Sequence, residues 1–146
     1  EPLKLSWKGF LSLPSRTIVS DLHCVEGWSR LGNEWGGVSF RTIVETVKPK
    51  PEARFCTIEC EGGYTTSLPI KDLMNEDVLF AYRLDGEELG TEHGGPLRLV
   101  VPKKYAYKSA KWVRKIKFTR EQELGYWEKR GYSDIADVWK NDRFSR

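Results

Sequence analysis

The chain has 146 residues, of which 39% are hydrophobic and 31% are charged, so it is long and apolar enough to bury the core of one domain. Its formal net charge of +3 is modest, and its longest apolar run, residues 78–82, is far shorter than the ~20 residues that a membrane span needs. These values argue against an intrinsically disordered protein and a transmembrane helix, and they favour one domain over residues 1–146.

In chain order, alternating and turn-forming residues predict a first half that mixes strands and helices. Ser6 is placed to cap a short helix that Pro14 ends, and Pro49 and Pro51 end a second helix. The predicted elements of this half are a strand over residues 3–7, a short helix through residue 13, a strand over 17–24, a loop over 25–37 and a helix over 40–47.

The second half is predicted to consist mostly of strands. A turn at residues 61–63 lets residues 64–68 pair back on residues 54–60 as a hairpin, and Pro69 favours a short helix up to residue 74. Further strands are predicted over residues 77–84, 97–101 and 112–118, followed by a polar tail over 121–146. Because strands outnumber helices, we expect a mixed α+β fold dominated by β structure.

Cysteine usage favours a reducing, cytoplasmic compartment. The three cysteines are an odd number and too few to crosslink a chain of this size. On one extended strand, Cys56 and Cys60 would have their Cα atoms about 13 Å apart, beyond the ~7 Å limit for a disulfide. We therefore expect free thiols.

A cysteine at the end of a predicted strand is the first candidate for chemistry. Cys24 lies in the sequence DLHCVEGWS, residues 21–29, and begins a glycine-containing loop. An exposed thiolate in such a loop suits a soft metal ligand or a nucleophile. The alternative is a half-buried structural cysteine beside a surface histidine, which is the commoner use of an isolated cysteine.

The second candidate is the sequence HGGPLRLVVP, residues 93–102. Its two glycines let backbone N–H groups approach a ligand closely, and Arg98 offers a planar fork suited to phosphate. The alternative is an ordinary tight loop before a strand, with Arg98 in solvent.

The third candidate is a basic segment. From Gly94 to Arg120 there are nine basic residues and no acidic one, which indicates an anionic partner. Interleaved aromatic residues also suit single-stranded nucleic acid, so a non-catalytic module that binds a polyanion through residues 98–120 is the alternative function. The commonest explanation of such a run is a solvated strand face. The nine basic residues are Arg98, Lys103, Lys104, Lys108, Lys111, Arg114, Lys115, Lys117 and Arg120.

The sequence signatures of several other enzyme classes are missing from the chain. The chain has two histidines, no Gly-x-Ser-x-Gly elbow and no phosphate-loop signature, which argues against hydrolase and nucleoside-triphosphatase mechanisms. Zinc binding through the three cysteines and a histidine is disfavoured because no Cys-x2-Cys pair exists.

Taken together in this order, the segments resemble the oxidoreductase molybdopterin-binding domain of the sulfite oxidase family, over nearly the whole chain. Residues 21–29 resemble the loop with the metal-binding cysteine, residues 61–68 the loop that faces the site, residues 93–102 the pterin-contact loop, and residues 105–118 the basic segment after it. Residues 125–132 are similar to the ending of short, stand-alone prokaryotic members. The resemblance implies a β-rich molybdopterin-binding fold of sulfite oxidase type and a molybdenum oxidoreductase.

The resemblance also implies roles for particular residues. Cys24 would coordinate molybdenum through its thiolate, beside the two sulfurs of the pterin dithiolene. Glu26, two residues further on, is placed to tune the site or relay protons. The implied cofactor-binding residues are His93, Arg98, Ser109, Ala110, Lys111 and Cys60.

The chain departs from the family after the metal-binding cysteine and at its N-terminus. Sulfite-oxidising members have arginines where this chain has Val25, Glu26 and Gly27, and a carboxylate there would repel sulfite. The branch that reduces methionine sulfoxide in peptides has a similar Cys-Val-Glu stretch, so we expect oxygen-atom transfer that reduces a small S-oxide or N-oxide. The family's segment upstream of Glu1 and its haem and dimerisation domains have no counterpart here, so we expect electrons to come from a separate partner.

Overall fold

The computed structural model describes residues 3–23, 29–104, 108–123 and 125. Strands predominate over helices in the described residues, as the sequence predicts, and this confirms the mixed, strand-rich fold. The helices are α1 (Trp7–Leu11), α2 (Phe40–Val47) and α3 (Ile70–Leu73). The strands are β1 (Arg16–His23), β2 (Ser29–Ser39), β3 (Phe55–Cys60), β4 (Thr65–Pro69), β5 (Leu79–Leu84), β6 (Glu87–Glu88), β7 (Arg98–Val100) and β8 (Val113–Thr119).

The strands form two antiparallel sheets. In the larger sheet the order is β1-β2-β5-β6, and β7 also pairs with β5. In the smaller sheet the order is β4-β3-β8. Because β2 and β7 both run antiparallel to β5, they run parallel to each other, and β2 begins eight residues before Gly37, which is level with Arg98 across β5.

The main hydrophobic core contains residues of both sheets. Phe80 and Leu99 of the larger sheet lie in one buried cluster with Ile58 and Leu68 of the smaller sheet. Because successive side chains of a strand point to opposite faces, the other face of the larger sheet carries a second cluster. That second cluster contains Trp35, Leu79, Ala81, Leu84, Leu89 and Val100.

Serine side chains begin the two longer helices. Ser6 caps α1, since its hydroxyl oxygen accepts a hydrogen bond from the Gly9 N–H at 3.0 Å. Ser39 caps α2 by accepting from the Thr42 N–H at 3.2 Å, and Lys48 ends α2 in a left-handed conformation. The predictions of both helices are therefore confirmed. No helix among the described residues has the length and apolar character needed to cross a bilayer.

Two predictions for the first half of the chain are wrong. Residues 3–6 form no strand, and the side chains of Leu3 and Leu5 are exposed instead of paired into a sheet. The predicted loop over residues 25–37 is wrong from Ser29 onward, because β2 occupies that part of the chain.

The glycines of β2 allow close packing within the sheet and do not form a loop. Gly37 lies opposite Ala81 at a β-bulge, where a side chain would collide with the backbone of Phe80 and Ala81. Trp35 and Val38, on either side, are buried in the two hydrophobic clusters. A glycine pair flanked by buried apolar residues is thus compatible with a central strand.

The second half of the chain follows its prediction closely. β3 and β4 form the predicted hairpin around a 3-10 turn, Glu61–Gly63. Pro69 ends β4 and precedes α3, whereas we expected it inside the helix. The three later strands appear as β5, β7 and β8 with slightly different bounds. Most of the tail lies outside the described residues.

Candidate functional site

Residues 108–112, the bridging segment, join the two sheets just ahead of β8. The Leu99 N–H donates to the Ala110 carbonyl at 2.8 Å, which attaches the segment to the larger sheet. On its other side the Glu61 N–H, in the turn after β3, donates to the Trp112 carbonyl at 2.9 Å. The three predicted cofactor contacts in this segment therefore lie where the two sheets meet.

A glycine loop, residues 90–96, packs against the bridging segment. The Trp112 N–H donates to the Gly94 carbonyl at 3.0 Å. Gly94 has a φ of 99°, and a Cβ at this position would lie 2.9 Å from the Cβ of Lys111 and 3.1 Å from the Cβ of Arg98. Only glycine combines this conformation with such a close approach, so the loop backbone contacts two basic side chains directly.

Arg98 is buried, with 4% of its surface exposed, and connects three parts of the site. Its guanidinium donates to the His93 carbonyl at 3.0 Å and to the Ser109 carbonyl at 2.7 Å. It also lies 5.2 Å from the centroid of the Trp35 ring, within cation–π range. Arg98 therefore clamps the glycine loop, the bridging segment and β2 together, and its contact with a cofactor stays a prediction.

Lys111 and His93 are the more accessible basic groups of the site. The Lys111 ammonium donates to the Glu92 carbonyl at 3.2 Å and lies 5.6 Å from the centroid of the Trp112 ring. Partial burial, and then the charge of Arg98, lower the pKa of Lys111. A bound anion would act in the opposite direction and raise the pKa of Lys111, because it stabilises the charged ammonium. The side chain of His93 is 41% exposed, with Nε2 4.0 Å from Glu92 Oε1.

Ser109 and Ala110 are buried within the bridging segment. The Ser109 hydroxyl oxygen accepts from the Val101 N–H at 2.8 Å, so this side chain already supports β7 and the residues after it. Ala110 belongs to the main hydrophobic core. Their predicted contacts with a cofactor would therefore use mostly the backbone.

Cys56 and Cys60 are both buried free thiols of β3, as predicted. Cys60 lies opposite Val113, next to the bridging segment. Burial, and then the carboxylate of Glu59, raise the pKa of Cys60 to about 12, so its thiol is neutral near pH 7. Among the residues that the structure describes, no three His, Cys, Asp or Glu side chains lie together as a metal site requires.

Cys24 and Glu26, the predicted metal ligand and its neighbour, lie outside the described residues. On either side of them, β1 ends at His23 and β2 begins at Ser29. From Ser29, β2 runs to Trp35, whose ring contacts Arg98.

The basic residues of the segment differ in how far they are buried. Arg98, Lys104 and Lys108 are buried, with 4%, 5% and 0% of their surfaces exposed. The Nζ of Lys104 lies 3.0 Å from an oxygen of Asp72, and the Nζ of Lys108 donates to the Ser67 carbonyl at 2.6 Å. These three side chains face internal partners, which weakens the alternative of a polyanion-binding surface along the whole segment.

The sequence did not reveal the contacts that two aromatic residues make in the site. The Trp35 ring faces Arg98, and its buried indole N–H has no hydrogen-bond partner in the part of the chain that is described. The Trp112 indole donates to the Thr91 carbonyl at 2.8 Å, and Trp112 has an unusual positive φ of 55°. The glycine-rich neighbourhood of Trp35 suggested a loop, and no local pattern links it to Arg98.

Comparison with known proteins agrees with this geometry. The family described as the oxidoreductase molybdopterin binding domain matches residues 1–127. The chain belongs to this family. The match includes the glycine loop, the bridging segment and both sheets, and it confirms the predicted sulfite-oxidase-type fold, molybdenum oxidoreductase class and molybdopterin cofactor.

Individual relatives support the same assignment. The uncharacterized oxidoreductase YuiH of Bacillus subtilis is 45% identical over 99% of this chain and 73% of its own length. The catalytic subunit MsrP of the protein-methionine-sulfoxide reductase of Campylobacter jejuni is 32% identical over 88% of this chain, which spans only 48% of that protein. The crystal structure of the sulfane dehydrogenase SoxCD from Paracoccus pantotrophus superimposes with a TM-score of 0.76 at 26% identity, over 83% of this chain and 36% of that one.

The described residues of this family member fit a molybdopterin. Gly94 lets the backbone of the glycine loop pack directly against the side chains of Lys111 and Arg98. The partly exposed Lys111 ammonium supplies a positive charge suited to the phosphate of the cofactor. The glycine loop and the bridging segment together would therefore hold the pterin, with Cys60 at the adjoining end of β3.

Proposed function

We propose that this protein reduces an S-oxide or N-oxide by oxygen-atom transfer at a molybdenum that Cys24 ligates. The observation that carries the proposal is the convergence of the glycine loop, Arg98 and the bridging segment where the two sheets meet. The strand that follows Cys24, β2, also carries Trp35, which contacts Arg98. When bound, the molybdopterin centre supplies the two-electron chemistry.

The proposed reaction consumes two electrons and two protons for each oxide, and it releases the reduced compound and water. The Glu26 carboxylate is proposed to pass protons between solvent and the substrate oxygen. Its negative charge also selects against anionic substrates such as sulfite, whereas a neutral S-oxide or N-oxide meets no such repulsion. The relative named as a methionine-sulfoxide reductase subunit supports this choice of substrate class.

The residues of the glycine loop and bridging segment are proposed to hold the cofactor. Lys111 would pair with the phosphate, and His93 would contact the pterin from the exposed side of the loop. Arg98 would act mainly through the loop geometry, because its guanidinium already binds several carbonyl groups. Ser109, Ala110 and Cys60 would complete the wall of the site.

The whole protein's electron donor is a separate proposal. The chain spans about half the length of the methionine-sulfoxide reductase relative and about a third of the sulfane dehydrogenase chain. We propose that a separate electron-transfer partner delivers the two electrons. The cytoplasmic location and the single domain over residues 1–146 likewise stay predictions from the sequence.

Substrate profiles test the proposal. The full-length protein, produced with cofactor biosynthesis intact, would be assayed for reduction of methionine sulfoxide and trimethylamine N-oxide with a reduced viologen dye as electron donor. Oxidation of sulfite would be assayed separately with ferricyanide as electron acceptor. We expect turnover of at least one oxide and none of sulfite, and a Glu26→Gln variant with much slower turnover at neutral pH. Oxidation of sulfite without any oxide reduction would contradict the proposed substrate class.

A further inference from the structure

Lys108 is a fully buried lysine that the cofactor contacts predicted from the sequence do not include. Its side chain is 0% exposed, and its Nζ donates to the Ser67 carbonyl of β4 at 2.6 Å. Lysine is among the residues least often buried, because its ammonium loses hydration in the core. The burial of Lys108 therefore calls for a structural explanation.

The position of Lys108 in the chain suggests such an explanation. It precedes the three predicted cofactor contacts of the bridging segment, Ser109 to Lys111. The larger sheet holds this stretch through Arg98, which donates to the Ser109 carbonyl, and through Leu99, which donates to the Ala110 carbonyl. Lys108 holds the same stretch from the opposite side, through β4 of the smaller sheet.

We propose that Lys108 is a positioning residue that sets the distance between the smaller sheet and the cofactor-binding part of the bridging segment. The inference rests on the proposed cofactor contacts of residues 109–111. The side chain of Lys108 is fully buried, so it acts through the backbone that follows it. A displacement of that backbone would move the Lys111 ammonium away from the cofactor phosphate, and small misplacements of such groups have large effects on binding.

Lys104 provides a matched control. It lies four residues earlier in the same basic segment, is 5% exposed, and binds an internal acceptor, Asp72, at 3.0 Å. Asp72 belongs to α3, and Lys104 does not adjoin the predicted contacts. Loss of either lysine removes a buried hydrogen bond, but only the loss of Lys108 removes the direct contact between the start of the bridging segment and β4.

The experiment compares cofactor retention in Lys108→Met and Lys104→Met. Methionine fills a similar volume without the polar nitrogen, so both variants keep the packing of the core. Full-length protein from cells with intact cofactor biosynthesis would be passed through a desalting column, and molybdenum and pterin would be measured per mole of folded protein. We expect at least about tenfold less cofactor in Lys108→Met, in line with the loss of groups that orient metal ligands, and near wild-type content in Lys104→Met.

Two further readouts separate positioning from general stability. In cofactor-free protein, both variants should lower the melting temperature to a similar extent. In loaded protein, the visible absorption of any remaining centre should shift in Lys108→Met only, and Lys108→Arg, which keeps a long donor, should recover part of the cofactor.

Several results would overturn the inference. Equal cofactor retention in the two methionine variants would show that Lys108 does not position the site. Insoluble Lys108→Met and Lys108→Gln proteins would show that Lys108 supports the fold as a whole, which also contradicts the inference. A wild-type protein without molybdenum would overturn the proposed function itself, whereas a loaded wild type with a fully loaded Lys108→Met would overturn only the role of Lys108.

Discussion

The two halves of the basic segment have similar compositions and different environments. In the first half, Arg98, Lys104 and Lys108 are buried and bind carbonyl or carboxylate oxygens inside the protein. In the second half, on β8, Arg114 and Lys117 are largely exposed and pair with glutamates, at 3.3 Å from Glu61 and 3.0 Å from Glu123. The first half builds the site, whereas the second half covers the surface of the smaller sheet.

This difference shows that a run of cations is not by itself a ligand-binding surface. The acceptors of Lys104 and Lys108 lie 32 and 41 positions away along the chain, so no local pattern identifies them. Buried cations that bind internal oxygens fix the backbone around them, while exposed ion pairs contribute little to stability. The comparison can be tested by removing one cation from each half.

The largest difference is expected between Arg98→Met and Arg114→Met. Loss of the Arg98 guanidinium removes its hydrogen bonds to the carbonyls of His93 and Ser109 and its contact with Trp35, so we expect the free energy of unfolding to fall by about 3 kcal/mol. Arg114→Met should lower it by less than about 1 kcal/mol, because Arg114 and its partner are exposed. Urea denaturation measures both values. Equal losses would contradict the division of the segment.

A smaller difference is expected between Lys104→Met and Lys103→Met, two neighbours of which one is buried and one is exposed. Lys104→Met leaves the partly buried carboxylate of Asp72 without its cation, and we expect a loss of about 1–2 kcal/mol. Lys103→Met should be nearly neutral. Adding Asp72→Asn to Lys104→Met should restore part of the loss in a double-mutant cycle; strict additivity would show that the pair is not coupled.

The smallest effect near neutral pH is expected at Cys60, beside Val113 where the two halves meet. With a pKa of about 12, only about one thiol in ten thousand is ionised at pH 8, so iodoacetamide should modify Cys60 far more slowly in folded than in unfolded protein. The unfolded thiol ionises near 9.0, below the folded one, so the unfolded state loses its proton first and stability falls as pH rises above about 9. A Cys60→Ala variant should show a weaker fall in melting temperature between pH 9 and 11. If the melting temperature of Cys60→Ala fell as steeply as that of the wild type, groups other than Cys60 would cause the pH dependence.

Local signals predicted the fold well where they act over a few residues. Helix α2 has its predicted bounds because Ser39 caps it and Lys48 ends it. The hairpin of β3 and β4 follows from the glycine turn between them. The part of the chain that became β2 was misassigned, because the sequence does not show that Gly37 meets the backbone of β5.

The candidate site was predictable to the extent that it is contiguous in sequence. The motifs identified the glycine loop and the bridging segment, and the structure brings His93, Arg98 and Ser109 together through the Arg98 guanidinium. The contacts of Trp35 with Arg98 and of Lys108 with Ser67 join distant segments, and only the folded chain reveals them.

The visible absorption of cofactor-loaded wild-type protein and Cys24→Ser, recorded with oxide-reduction activity, tests the central claim most directly, with Cys56→Ala as the control for loss of an unrelated buried thiol. We expect the wild type and Cys56→Ala to contain similar amounts of molybdenum and similar amounts of pterin. In Cys24→Ser we expect the metal-centred visible absorption to change and oxide reduction to fall by more than about 100-fold, beyond the loss expected for a group outside the metal's ligands. An unchanged spectrum and activity in Cys24→Ser would contradict the assignment of Cys24 as the metal ligand.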